Sequence, residues 1–267
     1  MGGSAGDALR DGDPARALAL AMDEVRAHPT AVGPRLALFR LACIEGMWER
    51  ARRQLEAMVG LDGETALFAK VYDGLILAEA ERAAVLQGRT APVTLGEPPA
   101  FVAMLAQALA HEAAGTAPAA RALRAAALEA ARAVPGELDG RPFAWLMDAD
   151  PRFGPCLELV VHGRYRWLPL EHLRELRSDG PRDLEDAVWL PVTLTLAGGG
   201  ELAAHLLTRY PGSETAADPS VRLARATLWG EGEGATGLGL RTLASDLGDH
   251  PLATLRRLRL EPGPLDG

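Results

Sequence analysis

The chain carries two patterns of apolar positions. Residues 1–135 are rich in Ala and Leu, which favour helices, and include the apolar helical stretch Leu41-Ala42-Cys43-Ile44. Beyond Pro135-Gly136 apolar and polar positions begin to alternate, as they do in strands. Leu157, Leu159 and Val161 alternate against Glu158. After His162-Gly163, Tyr165 and Trp167 alternate with Arg164 and Arg166, which predicts a β-hairpin with a tight turn. A second hairpin is predicted from Val188 to Leu207, with Gly198-Gly199-Gly200 at its tip and Pro191 marking an edge or a strand start. A third is predicted from Leu238 to Leu260, breaking around Gly248 to Pro251, with Arg257 and Arg259 alternating with Leu258 and Leu260. Gly230 to Gly239 reads as a flexible loop. Eight of the 13 aromatic residues lie after residue 135, consistent with strands there.

The helical half repeats. Gly12-Asp13-Pro14-Ala15-Arg16-Ala17 returns 34 residues later as Gly46-Met47-Trp48-Glu49-Arg50-Ala51, and again 69 residues on as Gly115-Thr116-Ala117-Pro118-Ala119-Ala120. That period is the tetratricopeptide period, in which helix pairs stack because one pair cannot bury its apolar face alone. Ala17, Ala21 and Ala51 are small enough to let paired helices approach, or to leave a groove between pairs. The unit expected near residue 80 has no glycine, and Gly88 to Pro99 interrupts the array; plain helical hairpins are the simpler alternative. The expected fold class is α+β, with a TPR-like helical domain over residues 1–135 and a domain with an antiparallel sheet over 136–267.

Composition narrows the function classes. In 267 residues, 28 Lys and Arg face 36 Asp and Glu, giving a net charge of −8, which argues against a nucleic-acid binder or a protein held to an anionic membrane. Hydrophobic residues make up 48%, enough for a substantial core. Cys43 and Cys156 have no CxxC partner, as in a reducing compartment. Met1 to Arg10 lacks the basic and apolar regions of a signal peptide, and no apolar run approaches the roughly 20 residues of a membrane helix. A cytoplasmic location is expected.

Catalytic spacings fail one after another. His111-Glu112 begins a zincin motif, but Gly115 occupies the place of the second histidine. Ser213 lies in Pro211-Gly212-Ser213-Glu214, a turn or helix cap rather than a nucleophile elbow. The loop Gly230-Glu231-Gly232-Glu233-Gly234 is too acidic to cradle phosphate. Asp148 and Asp150 form a D-x-D that could chelate a metal in a phosphoesterase, or could simply cap a turn before Pro151. Beside Phe143, Trp145 and Arg152, these aspartates are expected to join the two domains. No catalysis, cofactor or metal is expected.

The run Asp139-Gly140, Phe143-Ala144-Trp145-Leu146, Asp148-Ala149-Asp150 and Gly154-Pro155 resembles the signature of the ImpE/TagJ (SciE-type) family, accessory proteins of bacterial type VI secretion systems. So do Gly163-Arg164-Tyr165-Arg166-Trp167-Leu168-Pro169, Asp183-Leu184, Val188-Trp189-Leu190-Pro191 and Thr208-Arg209-Tyr210-Pro211-Gly212-Ser213-Glu214. Phe143, Trp145, Asp148, Asp150, Arg164, Tyr165, Trp167, Trp189, Arg209 and Tyr210 are therefore the motif residues, expected at a domain junction or a binding surface. The resemblance implies a non-enzymatic adaptor at the contractile sheath. Its implied partners are a helix near the N-terminus of the small sheath subunit and the AAA+ ATPase that dismantles contracted sheaths. A metal-dependent hydrolase built on Asp148 and Asp150, and a self-associating scaffold, are the alternatives.

Overall fold

A computed structural model describes residues 4–232 and 234–263; Met1 to Gly3, Glu233 and Pro264 to Gly267, on which the Met1–Arg10 and Gly230–Gly239 readings and the outer bounds of both domains fall, lie outside them. Seven helices come first: α1 (Ala5–Arg10), α2 (Pro14–Ala27), α3 (Val32–Ile44), α4 (Trp48–Leu61), α5 (Ala66–Leu86), α6 (Ala100–Ala113) and α7 (Ala117–Ala130). The repeated glycines Gly12, Gly46 and Gly115 each hold a positive φ in the turn between two helices. Each is followed within five residues by a buried alanine, Ala17, Ala51 or Ala120. Asp13 caps α2 by accepting from the Arg16 amide at 2.9 Å, and Pro14 occupies its first turn. Where the repeat loses its glycine, α5 runs unbroken for 21 residues.

The strands follow: β1 (Gly136–Leu138), β2 (Arg141–Phe143), β3 (Leu146–Asp148), β4 (Cys156–Val161), β5 (Arg164–Pro169), β6 (Leu173–Arg177), β7 (Trp189–Leu196) and β8 (Glu201–Leu207). A short helix, α8 (Pro219–Arg222), precedes β9 (Thr227–Trp229), β10 (Gly237–Gly239), β11 (Thr242–Ser245), β12 (Gly248–Pro251) and β13 (Arg257–Leu260). The main sheet is antiparallel throughout, in the order β2-β1-β13-β6-β7-β8-β4-β5. The fold class is α+β.

The first two predicted hairpins form in register. His162 and Gly163 both take positive φ, the geometry of the primed turns that match strand twist. Pro191 sits inside the sheet, but β6 pairs with β7 only from Thr193 onward, so the missing amide costs no ladder bond to that neighbour. The third hairpin does not form as predicted. Its residues divide among three sheets: β10 pairs with β9, β11 with β12 and β3, and β13 with β1 and β6. Gly248 to Pro251 is a strand rather than a break, and Gly237 to Gly239, read as loop, is β10. Arg257 and Arg259 do face solvent while Leu258 and Leu260 are buried.

The main sheet is covered on both faces. Leu157, Leu159 and Val161 pack into one core with Leu168, Leu190 and Leu258. Cys156, Val160, Tyr165, Trp167 and Trp189 pack on the opposite face against Phe39, Leu75, Val85 and Leu105 from the helices. The Gly88–Pro99 segment leaves the helical layer to border β5: Leu95 donates its amide to Trp167 O at 2.9 Å and Trp167 donates to Val93 O at 3.0 Å. An edge strand that would otherwise template association is thereby partly covered.

Candidate functional site

The alternation of β4 that put Glu158 opposite three leucine-type positions suggests a solvent-facing carboxylate. Instead Glu158 lies on the helix-covered face and is 1% exposed. Burying a carboxylate is tolerated only with paired charge and satisfied lone pairs, and Glu158 has both. Arg82, in the last part of α5, grips it with two hydrogen bonds, Nε to Oε1 at 3.0 Å and NH2 to Oε2 at 2.9 Å. Arg241, just before β11, pairs with the same Oε2 and carries the network on to Asp148. Tyr165 donates its hydroxyl to Glu158 and accepts from Trp167 Nε1 at 2.6 Å.

Around Asp148 the remaining positions are filled as tightly. Its Oδ1 accepts from the Tyr210 hydroxyl at 2.9 Å and the Asp150 amide at 2.8 Å. Asp150 in turn accepts from Arg152 NH2 at 2.6 Å and the Gly237 amide at 2.8 Å. Arg241 lies over the ring faces of Phe153 and Tyr210, 4.3 and 5.0 Å from their centroids, so its guanidinium is enclosed by π-faces and carboxylates together. The D-x-D is thus saturated by arginines, a tyrosine and backbone amides. Among the described residues no group of His, Cys, Asp and Glu is placed to hold a metal ion.

Three further motif residues tie the halves together. Arg209 donates to Ile44 O at 2.8 Å and Cys43 O at 3.3 Å, satisfying carbonyls at the C-terminal end of α3, where a cation is also favoured by the helix dipole. Trp189 donates Nε1 to Glu79 Oε1 at 2.9 Å and packs 5.6 Å from Trp48. Arg164 pairs with Glu81 at 2.7 Å, beside a hydrogen bond from the Tyr165 amide to the same carboxylate.

Electrostatics follow from this enclosure. Burial raises Glu158, but Arg82 and Arg241 more than reverse it and hold the group at about 2. Burial dominates at Asp148, against the pull of Arg241, and lifts it to about 6. Burial also raises Glu79, opposed by Arg82.

Eight of the ten motif residues therefore belong to one continuous helix–sheet junction. Phe143 and Trp145 do not. Phe143 is buried in the core on the far face of the sheet, at the β1–β2 hairpin, and Trp145 is half-buried and joins no aromatic pair or core cluster among the described residues. Their place in the expected junction is taken by Arg82, Glu158, Arg241, Glu79 and Glu81. Glu158 stands between two motif runs but reads there only as the polar position of an alternating strand, while Glu79, Glu81 and Arg82 lie about 60 residues upstream, and nothing distinguishes Arg82 or Arg241 among 27 arginines.

A second feature lies in the helical layer. Ala17, Ala21 and Ala51 are fully buried, so the helix pairs are closed there and leave no groove. An open groove lies between α1 and α3, about 250 Å³, lined by Ala5, Gly6 and Leu9 on one side and Gly33, Leu36, Ala37 and Leu41 on the other, with Arg40 and Leu184 at one end. The α3 residues fall at i, i+3, i+4 and i+8, one face of a helix.

The arrangement of helical layer and antiparallel sheet has a counterpart among solved structures. The fold matches the crystal structure of a Vibrio parahaemolyticus protein with a TM-score of 0.89 at 26% identity, over 96% of this chain and 97% of that one. The sequence profile of the ImpE protein family matches residues 140–259. Over 256 residues the chain is 43% identical to the type VI secretion system accessory component TagJ of Pseudomonas aeruginosa, covering 95% of this chain and 90% of that protein. The chain belongs to the ImpE/TagJ family of type VI secretion accessory proteins.

Proposed function

We propose that the protein is a non-catalytic adaptor of a type VI secretion machine, acting in the cytoplasm. In this reading it seats an amphipathic helix from the small contractile-sheath subunit and presents the sheath to the disassembly ATPase. The observation that carries it is the α1–α3 groove. Its lining is apolar apart from Arg40 and includes two glycines and two alanines, which admit the backbone of another helix at close range. The stretch from Gly33 to Leu41 spans about 12 Å at the rise of an α-helix, room for roughly two turns of a partner. The commitment of Asp148 and Asp150 to arginine and amide partners supports a binding role over hydrolysis.

A synthetic peptide from the sheath subunit's N-terminal helix tests the reading by calorimetry with the full chain. Binding is expected, and Ala37→Trp, which fills the groove from a half-buried position, is expected to weaken it at least tenfold without lowering the melting temperature. No binding at ~100 μM peptide, equivalent to only about −5.5 kcal/mol, would overturn it, as would full binding by Ala37→Trp.

A further inference from the structure

The groove is mostly apolar and ends in a cluster of charges beside the C-terminal part of α3. Arg40, in the last turns of α3, lines it together with Leu184 of the loop that precedes β7. Arg40 NH2 lies 2.6 Å from Asp183 Oδ1, and its Nε lies 2.7 Å from Glu185 Oε2. One guanidinium thus serves two carboxylates. Asp186 adds a third negative charge in the same turn, held by the amides of Arg182 and Asp183 at 2.7 and 3.0 Å. Glu185 is buried, and among the described residues neither of its oxygens has a well-formed hydrogen bond. Asp183, by contrast, leaves half of its side chain in solvent. The groove end is therefore short of positive charge, with an accessible carboxylate at its rim. Among the described residues that line the groove, the charged one, Arg40, lies at this end.

Resting on the groove reading above, we infer that the groove selects a helix with a basic side chain at one end of its apolar stripe, placed against Asp183. Asp183 is the specificity-determining residue. An acidic side chain at that point would meet Asp183 and the Glu185–Asp186 pair, where Arg40 is already committed to two carboxylates. Because the charge sits at one end, it also fixes the direction in which the helix lies. Rim charges act mainly on specificity, association rate and salt dependence, and exposed pairs are individually weak, so the expected effect is a preference rather than an on–off switch.

The test uses the full chain and the sheath-subunit peptide extended, at one end or the other, by Lys-Lys, Gln-Gln or Glu-Glu. Fluorescence anisotropy is read at low and at physiological salt. For one of the two ends the Lys-Lys peptide is expected to bind at least threefold tighter than Gln-Gln and about tenfold tighter than Glu-Glu, with the gap shrinking as salt rises. Asp183→Asn, which keeps the side-chain cap of the Leu184–Ala187 turn, is expected to narrow the gap between the Lys-Lys and Glu-Glu peptides. If all peptides bind with equal affinity, or Glu-Glu binds best, the inference fails while the groove reading stands. If no peptide binds and Ala37→Trp changes nothing, both fail.

Discussion

Arg82 and Glu158 face each other across the boundary between helices and sheet, joined by two hydrogen bonds of 3.0 and 2.9 Å with almost no exposure to water. Each has a second set of obligations. Arg82 also donates to Arg209 O at 2.8 Å, and Glu158 also neutralises Arg241. One core runs through both sides of this pair, from Phe39 and Leu105 to Trp167 and Tyr210.

Removing the shared carboxylate is therefore worse than removing either cation. Glu158→Ala strands Arg82 and Arg241 together, and a broken buried pair costs about 3–5 kcal/mol. Denaturant unfolding is expected to show Glu158→Ala less stable than Arg82→Ala. Both halves are expected to unfold in one transition, read by far-UV circular dichroism and tryptophan fluorescence together. Separate transitions, or an unchanged midpoint for Glu158→Ala, would contradict the shared core.

The pH dependence of stability should have two opposed parts. Glu158, held at about 2 against an ordinary 4.5, contributes stability that is present above pH 4.5 and lost as pH falls toward 2. Asp148, lifted to about 6 from 3.8, contributes in the other direction: its stabilisation is full below 3.8 and lost as pH rises through 6. Mild acid is thus expected to spare the fold, with a steep loss below pH 4. Asp148→Asn should flatten the part between pH 4 and 6 and leave the acid limb in place. A carboxyl titration by NMR would locate Asp148 directly, and a midpoint near 4 would refute its burial-driven shift.

Tryptophan substitutions separate the junction from its surroundings. Trp189 is fully buried, packed at a tilt against Trp48 and Tyr72 and bonded to Glu79. Its truncation to Ala is expected to cost about 3–5 kcal/mol. Trp145, half-buried and outside the core clusters, should cost clearly less. Equal losses in chemical denaturation would place Trp145 in the core after all.

Gly74 in α5 and Gly163 in the β4–β5 turn meet backbone to backbone. A Cβ at Gly74 would lie 3.0 Å from Gly163 Cα, and Gly163 also holds φ at +72°. Gly to Ala inside a helix ordinarily gains up to about 1 kcal/mol; here Gly74→Ala is expected to destabilise, because the backbone opposite must move. Gly163→Ala should lose more than Gly199→Ala, a control with positive φ but open space around it. A thermal melt showing Gly74→Ala more stable than the parent would deny the close approach.

The sequence by itself determined the local elements, because their causes are local. Positive-φ glycines after α1, α3 and α6, the Asp13-Pro14 cap and the His162-Gly163 turn act within a few residues, and strand alternation then sets which side chains share a face. The resemblance of the motif runs added the family. What the sequence could not determine was the partner of each face. The same alternation that placed Glu158 opposite Leu157 and Leu159 is compatible with water or with a second layer, and only the packing of α5 against the β4–β5 hairpin made it a buried ion. For the same reason β10 to β13 looked like one hairpin. Each is only three or four residues long; β11 and β12 pair locally, but the other partners are β1, β3, β6 and β9, and Gly136 and Leu260 meet across 124 residues. The junction is likewise a product of tertiary structure: Arg82, Glu158 and Arg241 are separated by 76 and 83 residues. A lone arginine carries no periodic signal, and its charge finds a partner only when the core closes around it.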